Sequence, residues 1–241
     1  MIRVTDISGT PLIILKNTRD YLLSCRENVS EEVRIGLNYN IIIGTALILE
    51  AESESLIHNI INQYEELCIK YYQLDLIGCD ANLAANARCL LNSSFSKLKE
   101  YSSKGTGMEH YKKTFQMLLP KSDLTPLTPY EEGIQVLYQF RNVIAHGRAI
   151  RFEERTYYSH IDYEKETKKE IDFMGGYKKA QEYLIKKGLL NVPITESYDF
   201  KSLFSNEICD HLIEVESNYY KTLEKCVPFT MKDFRDDFEY I

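Results

Sequence analysis

Residues 38 to 72 hold the pattern that most restricts the fold. Ile42, Ala46, Leu49, Ser53, Leu56, Ile60, Tyr64, Leu67 and Tyr71 recur at near-heptad spacing, which predicts one long helix from Asn38 to Tyr72. A helix of that length has to lay a stripe of side chains against other helices. Ser53 interrupts the stripe and the stripe is broad, so a bundle seam fits better than a coiled-coil dimer. The chain is therefore read as mainly α, a bundle of four to five helices.

Other segments supply the partners. Asn82 to Tyr101 reads as a second helix, after a turn at Gly78-Cys79-Asp80. Met108 to Leu119 reads as a short one, and Pro120 to Pro129 as a connection. Thr128-Pro129-Tyr130-Glu131 is a capping box with proline at the first helical position. It opens a helix that Gly147 closes. After Gly147 the texture changes. A β-hairpin is expected from Thr156 to Tyr163 and Lys169 to Phe173, then a short helix from Tyr177 to Lys187, then a loop over Asn191 to Phe204. Ser205 caps a last helix to about Cys226, with Ile208, Leu212, Val215, Tyr219 and Leu223 on its apolar side. Near the N-terminus, Val4 to Leu15 reads as partly extended, with a short helix through Tyr21 and Leu22. Four consecutive parts follow: a 1–37 extension, a 38–150 bundle core, a 151–204 appendage of hairpin and short helix, and a 205–241 helix that packs back on the bundle.

Composition excludes several classes. Apolar residues make up 44% of the 241, enough for a real core. No run reads as long enough to span a membrane, since Glu50, Glu52 and Glu54 follow the apolar segment Ile41 to Leu49. No secretory leader is visible, so a cytoplasmic protein is expected. The six cysteines contain no CxxC pair, which suits reduced thiols and neither a disulfide framework nor a zinc site. His58, His110, His160 and His211 have no ligand spacing, so neither metal nor cofactor is expected. Lys104-Gly105-Thr106-Gly107 is too short for a phosphate-cradling loop, and no Ser-His-Asp elbow is present. The tyrosine pairs, Tyr219-Tyr220 among them, suit a core better than base stacking. The Glu50, Glu52, Glu54 cluster reads as a solvated acidic face. A net charge of −7 argues against broad, sequence-independent nucleic-acid binding and leaves room for a local basic cleft.

The chemistry sits near the end of the helix from Thr128. Ile134, Leu137, Phe140, Val143 and Ile144 form a wide apolar arc, and Gln135, Gln139, Asn142 and His146 fall on one polar stripe. Arg141 projects within the apolar arc, where an unpaired guanidinium is costly. It needs a carboxylate, a wet cleft or another subunit. One reading makes Arg141 a structural partner of a core glutamate and His146 a cation at a helix C-terminus. The other makes them catalytic: histidine moves protons near neutral pH, arginine grips phosphate with a rigid fork, and an amide orients either.

The stretch Arg141-Asn142-Val143-Ile144-Ala145-His146-Gly147 resembles the motif of HEPN domains, an all-helical superfamily with many ribonucleases. With the preceding apolar helix and the earlier long one, the resemblance covers roughly residues 38 to 150. It implies a HEPN-like bundle, with the hairpin as a small insertion after the motif helix. It further implies a metal-independent endoribonuclease, in which two chains face each other across a twofold axis and share one composite site. Arg141, Asn142 and His146 are the catalytic residues it assigns, RNA the substrate, and a toxin or antiviral defence effector the role. An antitoxin or other regulatory protein is a possible partner. Toxins paired with a nucleotidyltransferase often carry a tyrosine two residues after the histidine. Here that position is Arg148, which argues against that pairing and offers a weak phosphate contact or a solvated surface charge. Two rival readings remain: a non-catalytic HEPN module that binds a nucleotide or a protein, and a helical scaffold whose motif maintains an interface.

Overall fold

A computed structural model describes residues 9–75, 93, 96–97, 100–101, 104–105, 107–118, 123–146, 152–157, 168–173, 177–191 and 197–227. Six α-helices dominate them: α1 (Gly9–Ser24), α2 (Glu31–Asp75), α3 (Met108–Leu118), α4 (Thr128–His146), α5 (Tyr177–Lys186) and α6 (Asn206–Cys226). The chain is mainly α. Strands β1 (Phe152–Tyr157) and β2 (Lys168–Phe173) pair antiparallel, with Phe152 opposite Phe173 and Tyr157 opposite Lys168. The first strand begins four residues before the expected start at Thr156. The segment that joins the two strands lies outside the described residues, as do the turn at Gly78 and most of the helix expected from Asn82.

Three sequence expectations are corrected. Val4 to Leu15 reads as partly extended, yet α1 is already helical from Gly9. Pro11 is accommodated because the first helical turn has no use for its missing N–H. The 1–37 extension thus carries α1 and the start of α2, which begins at Glu31 after Ser30 accepts a hydrogen bond from Val33 N. The loop expected over Asn191 to Phe204 holds a 3-10 helix, Ser197–Phe204, whose last two residues are buried. Glu52 is not solvated with its neighbours but buried, 4% exposed, while Glu54 and His58 face solvent 3.9 Å apart.

The long helix buries more than one seam. Ile42, Ala46, Leu49, Ser53 and Ile60 are covered as the spacing requires, and so are Ile41, Thr45, Ile48, Glu52, Ile57 and Ile61 beside them. Thr45 and Ser53 add small polar side chains to that face, and Thr45 returns its hydroxyl to Ile41 O at 2.8 Å. By length and composition Glu31–Gln63 is apolar enough to cross a membrane, with mean hydropathy 1.2, contrary to the sequence expectation. Within it Ile41, Ile42, Ile48, Leu49, Ile57, Ile60 and Ile61 are buried with Asn38 and Glu52 among them, while Ile43, Leu47 and Leu56 are half-buried.

The residues form two compact units, each drawing on separated stretches. One comprises 1–12, 49–127 and 220–241; the other comprises 13–48 and 128–219 and contains the motif helix. In the second unit polar side chains tie the elements together. Asn38 is 1% exposed, and its amide donates to Phe204 O at 2.8 Å and Asn206 Oδ1 at 3.0 Å. Arg26 reaches Asn38 Oδ1 at 3.4 Å and Asp210 at 2.6 Å. Arg19 of α1 pairs with buried Glu216 of α6 at 3.1 Å. Ser205 caps α6 by accepting from Ile208 N, and Ile208, Leu212, Val215 and Tyr219 are buried on its apolar side. Gly188 ends the α5 turn at φ +70°, a conformation glycine takes without steric cost.

Asn38→Ala withdraws a buried donor from two acceptors. The expected loss is about 2 kcal/mol, read as a shift of the urea unfolding midpoint with an unchanged slope. A midpoint equal to wild type would show that the Asn38 hydrogen bonds contribute no net stability.

Candidate functional site

Helix α4 positions the site. Ile134, Leu137 and Phe140 are fully buried and Val136 nearly so, which anchors one side of the helix. Each such side chain contributes about 1.5–3 kcal/mol of burial. Val143 and Ile144 are half-buried, so the cover thins toward the C-terminal end. Along the polar stripe Gln135 is exposed, and Gln139 and Asn142 are half-buried.

Arg141 and Asn142 meet. The guanidinium Nη1 donates to Asn142 Oδ1 at 2.9 Å, and both residues are half-buried. Neighbours in sequence do not face each other on a helix, so the long arginine has to swing sideways to reach the amide. The amide oxygen offsets part of the cost of burying the charge. His146 is the last helical residue; its side chain lies outside the described residues, and so does all of Arg148. The expected contact between Asn142 and His146 therefore lies outside them too.

The second side of the site is α5, which packs on α4 and meets β2. Its inner face buries Ala180, Gln181, Tyr183 and Leu184. Gly133 of α4 is what allows the close approach. A Cβ there would lie 2.6 Å from Tyr183 Oη and 2.7 Å from Val215 Cγ1 of α6. Tyr183 Oη is in turn hydrogen-bonded to His211 Nε2 of α6 at 2.8 Å, and the Lys187 ammonium sits 5.6 Å from the tyrosine ring centre. Burial raises the Tyr183 phenol above its ordinary range, with the nearby Glu132 carboxylate adding to it. Burial, then the Lys187 charge, lowers His211, against a smaller opposing pull from Glu214. The pair is thus set to stay neutral at pH 7.

The outer edge of α5 carries Lys178, Lys179, Lys186 and Lys187, all exposed, against a single exposed glutamate, Glu182. Between α4 and α5 runs a groove of about 420 Å³, with Glu132, Gln135 and Gln139 on one wall and Lys179, Glu182 and Lys186 on the other, so its charges balance. Lys186 leans toward Glu132 at 3.5 Å, a solvent-exposed pair of little strength. A second cavity, about 430 Å³, is lined by Arg34, Asn38, Lys201 and Asn206. Sequence reasoning did not single out these lysines, although they stand as two adjacent pairs, the last of them, Lys187, just past the end of α5. Nor does the sequence show which helix they lie beside.

Cys209 is fully buried, and burial pushes its thiol up to about 12, which removes it from nucleophilic chemistry. Among the described residues, no three His, Cys, Asp or Glu side chains are grouped as a metal site needs. No protein-family model, curated protein or solved structure matches the chain.

His211 gives the unit a pH dependence. Its folded pKa lies below the 6.5 of the unfolded chain, so the unfolded state takes up the proton first as pH falls. Stability is therefore constant with respect to His211 above about 6.5 and is lost as pH drops below it, toward the lower folded value. Thermal melts between about pH 7.5 and 5.5 should show a falling midpoint that His211→Gln flattens. An identical slope in the variant would remove His211 as the cause.

Proposed function

We propose that the chain is a HEPN-type endoribonuclease that needs no metal and acts as a toxin or antiviral defence effector. The observation that carries this reading is the Arg141–Asn142 pair at the thinly covered end of α4, one turn before His146. It is the place where a guanidinium held by an amide can face an anionic substrate. The fold side of the proposal is a HEPN-like bundle with the β1–β2 segment as an insertion after the motif helix.

In this mechanism the ribose 2′-hydroxyl of the substrate attacks the adjacent phosphorus. His146 takes the proton from that hydroxyl or supplies one to the departing 5′-oxygen. Arg141 balances the extra negative charge on the phosphate as the fifth bond forms. Asn142, bonded to Arg141, keeps the fork in place. One P–O bond forms and one breaks, no water is consumed, and the products are a 2′,3′-cyclic phosphate and a 5′-hydroxyl. A composite site across a symmetric dimer gives each arginine a polar neighbourhood and supplies two histidines, one for each proton transfer.

Purified protein incubated with total RNA tests the chemistry. Cleavage should persist in EDTA and leave cyclic phosphate ends, and His146→Ala should lose at least about a hundredfold in rate with an unchanged melt. Activity that disappears in EDTA and returns with magnesium would overturn the mechanism, as would equal rates in wild type and variant.

Assembly has its own measurement. Light scattering should give a dimer of twice the 28.1 kDa chain mass, strengthened by RNA, because a bound phosphate bridges two arginines that otherwise repel. A monomer both with and without RNA would refute the composite site.

A further inference from the structure

We propose that Tyr183 and His211 form an acid-sensitive latch: protonation of His211 releases α5 from α4 and α6 while the rest of that unit stays folded. The latch does not depend on the ribonuclease reading above.

Tyr183 is the bolt. It is buried, and its hydroxyl occupies the notch that Gly133 leaves in α4, where a Cβ would lie 2.6 Å from Oη and 2.7 Å from Val215 Cγ1. His211 and Val215 stand one turn apart on α6. One tyrosine thus engages both neighbouring helices. Its hydroxyl meets His211 Nε2 at 2.8 Å.

A proton changes that hydrogen bond. The neutral ring can accept the phenol hydrogen at Nε2. The protonated ring carries hydrogens on both nitrogens, so it only donates. The phenol then has to turn its own hydrogen into the notch, and a buried donor without an acceptor is costly. Charge works in the same direction. Among the described residues, Tyr183 and Lys187 face His211 from the α5 side and Glu214 from its own helix, while Glu132 of α4 acts on Tyr183. Burial and then the Lys187 ammonium disfavour the imidazolium, and Glu214 offsets them only in part. Withdrawing α5 removes Lys187 and lets water reach the ring. Above about 6.5, the ordinary histidine value, the ring is neutral whether α5 is docked or not. Below it the undocked state takes up the proton first, so acid favours undocking.

Helix α5 is the element able to move. It has ten residues, too few to be stable without packing. Gly188 follows directly at φ +70°, with nothing within 4 Å of where its Cβ would stand. That makes a joint that turns without steric conflict. Helix α6 has twenty-one residues and is tied to Arg19 through Glu216 and to Arg26 through Asp210. The helix with the histidine is therefore held while the one with the tyrosine can leave.

Hydrogen exchange read by mass spectrometry tests the latch on the full chain at about pH 7.5 and about pH 5.5, corrected for the intrinsic pH dependence of exchange. Peptides covering 178–187 should lose protection at least about fivefold in acid, while those of α4 and α6 change by less than about twofold. His211→Gln keeps a hydrogen-bonding amide and takes up no proton, so its α5 protection should stay level. Lys187→Ala, at an exposed position, should shrink the acid loss, because the docked ring then meets less repulsion. Equal α5 protection at both pH values overturns the latch. A loss spread evenly over α4, α5 and α6 also overturns it, since His211 would then govern only global stability. An acid loss in His211→Gln as large as in the parent places the proton elsewhere and overturns it too.

Discussion

Asn38 sits where water does not reach, and a buried amide has to be fully engaged or it costs more than it gives. Here its N–H group serves Phe204 O and Asn206 Oδ1, and its oxygen takes the Arg26 guanidinium. That one side chain joins the start of α2 to the end of the 3-10 helix and to the first turn of α6. Arg26 continues the network to Asp210, and Arg19 adds the pair with Glu216 one helix face further along. Replacing such a buried ion pair by apolar residues is often neutral or stabilising, while removing one partner is severe. That cost applies to Arg19–Glu216, which is buried on the carboxylate side, and much less to Arg26–Asp210, whose carboxylate is 55% exposed.

With α6 fixed in register, the close packing of α4 and α5 follows. Gly133 leaves a gap that Tyr183 and Val215 fill, and no larger residue fits there without displacing one of them. Alanine would gain about 1 kcal/mol of helix propensity and lose more by overpacking, typically about 1–3 kcal/mol. Tyr183 faces two ways. Its hydroxyl is held by His211 and its ring forms part of the groove wall. The groove beside the motif helix is therefore bounded by a side chain that the core itself holds in place.

Periodic segments with clear ends were legible in the sequence. The helices at Met108, Thr128, Tyr177 and Asn206 begin and end close to where Pro129, Gly188 and Ser205 suggested. The stripe of the last helix is buried at Ile208, Leu212, Val215 and Tyr219 as the spacing implied. Failures had local causes. Gly9 and Pro11 look like breakers but occupy the first turn of α1, where neither is penalised much. Ser197 to Phe204 lacks a helical period of its own and owes its buried end, Leu203 and Phe204, to tertiary packing. Glu52 looked like its exposed neighbours because composition cannot say which of three glutamates faces inward. At the site, the sequence brought Arg141 and Asn142 to attention but set them on different faces. It placed the arginine by the angle of its Cα, while the guanidinium is a long arm away from that origin. Asn38 and Gly133 matter through partners distant in sequence, and no pattern in a single chain announces those.

An acidic chain with one lysine-rich helix poses a particular electrostatic problem for a polyanion. At a distance the net charge of −7 opposes approach, and that term weakens as salt screens it. At contact the lysines attract, and counterion release makes that term weaken with salt as well. The two respond to salt in opposite directions, so the salt dependence of any polyanion's approach to this helix is shallower than the lysines alone would give.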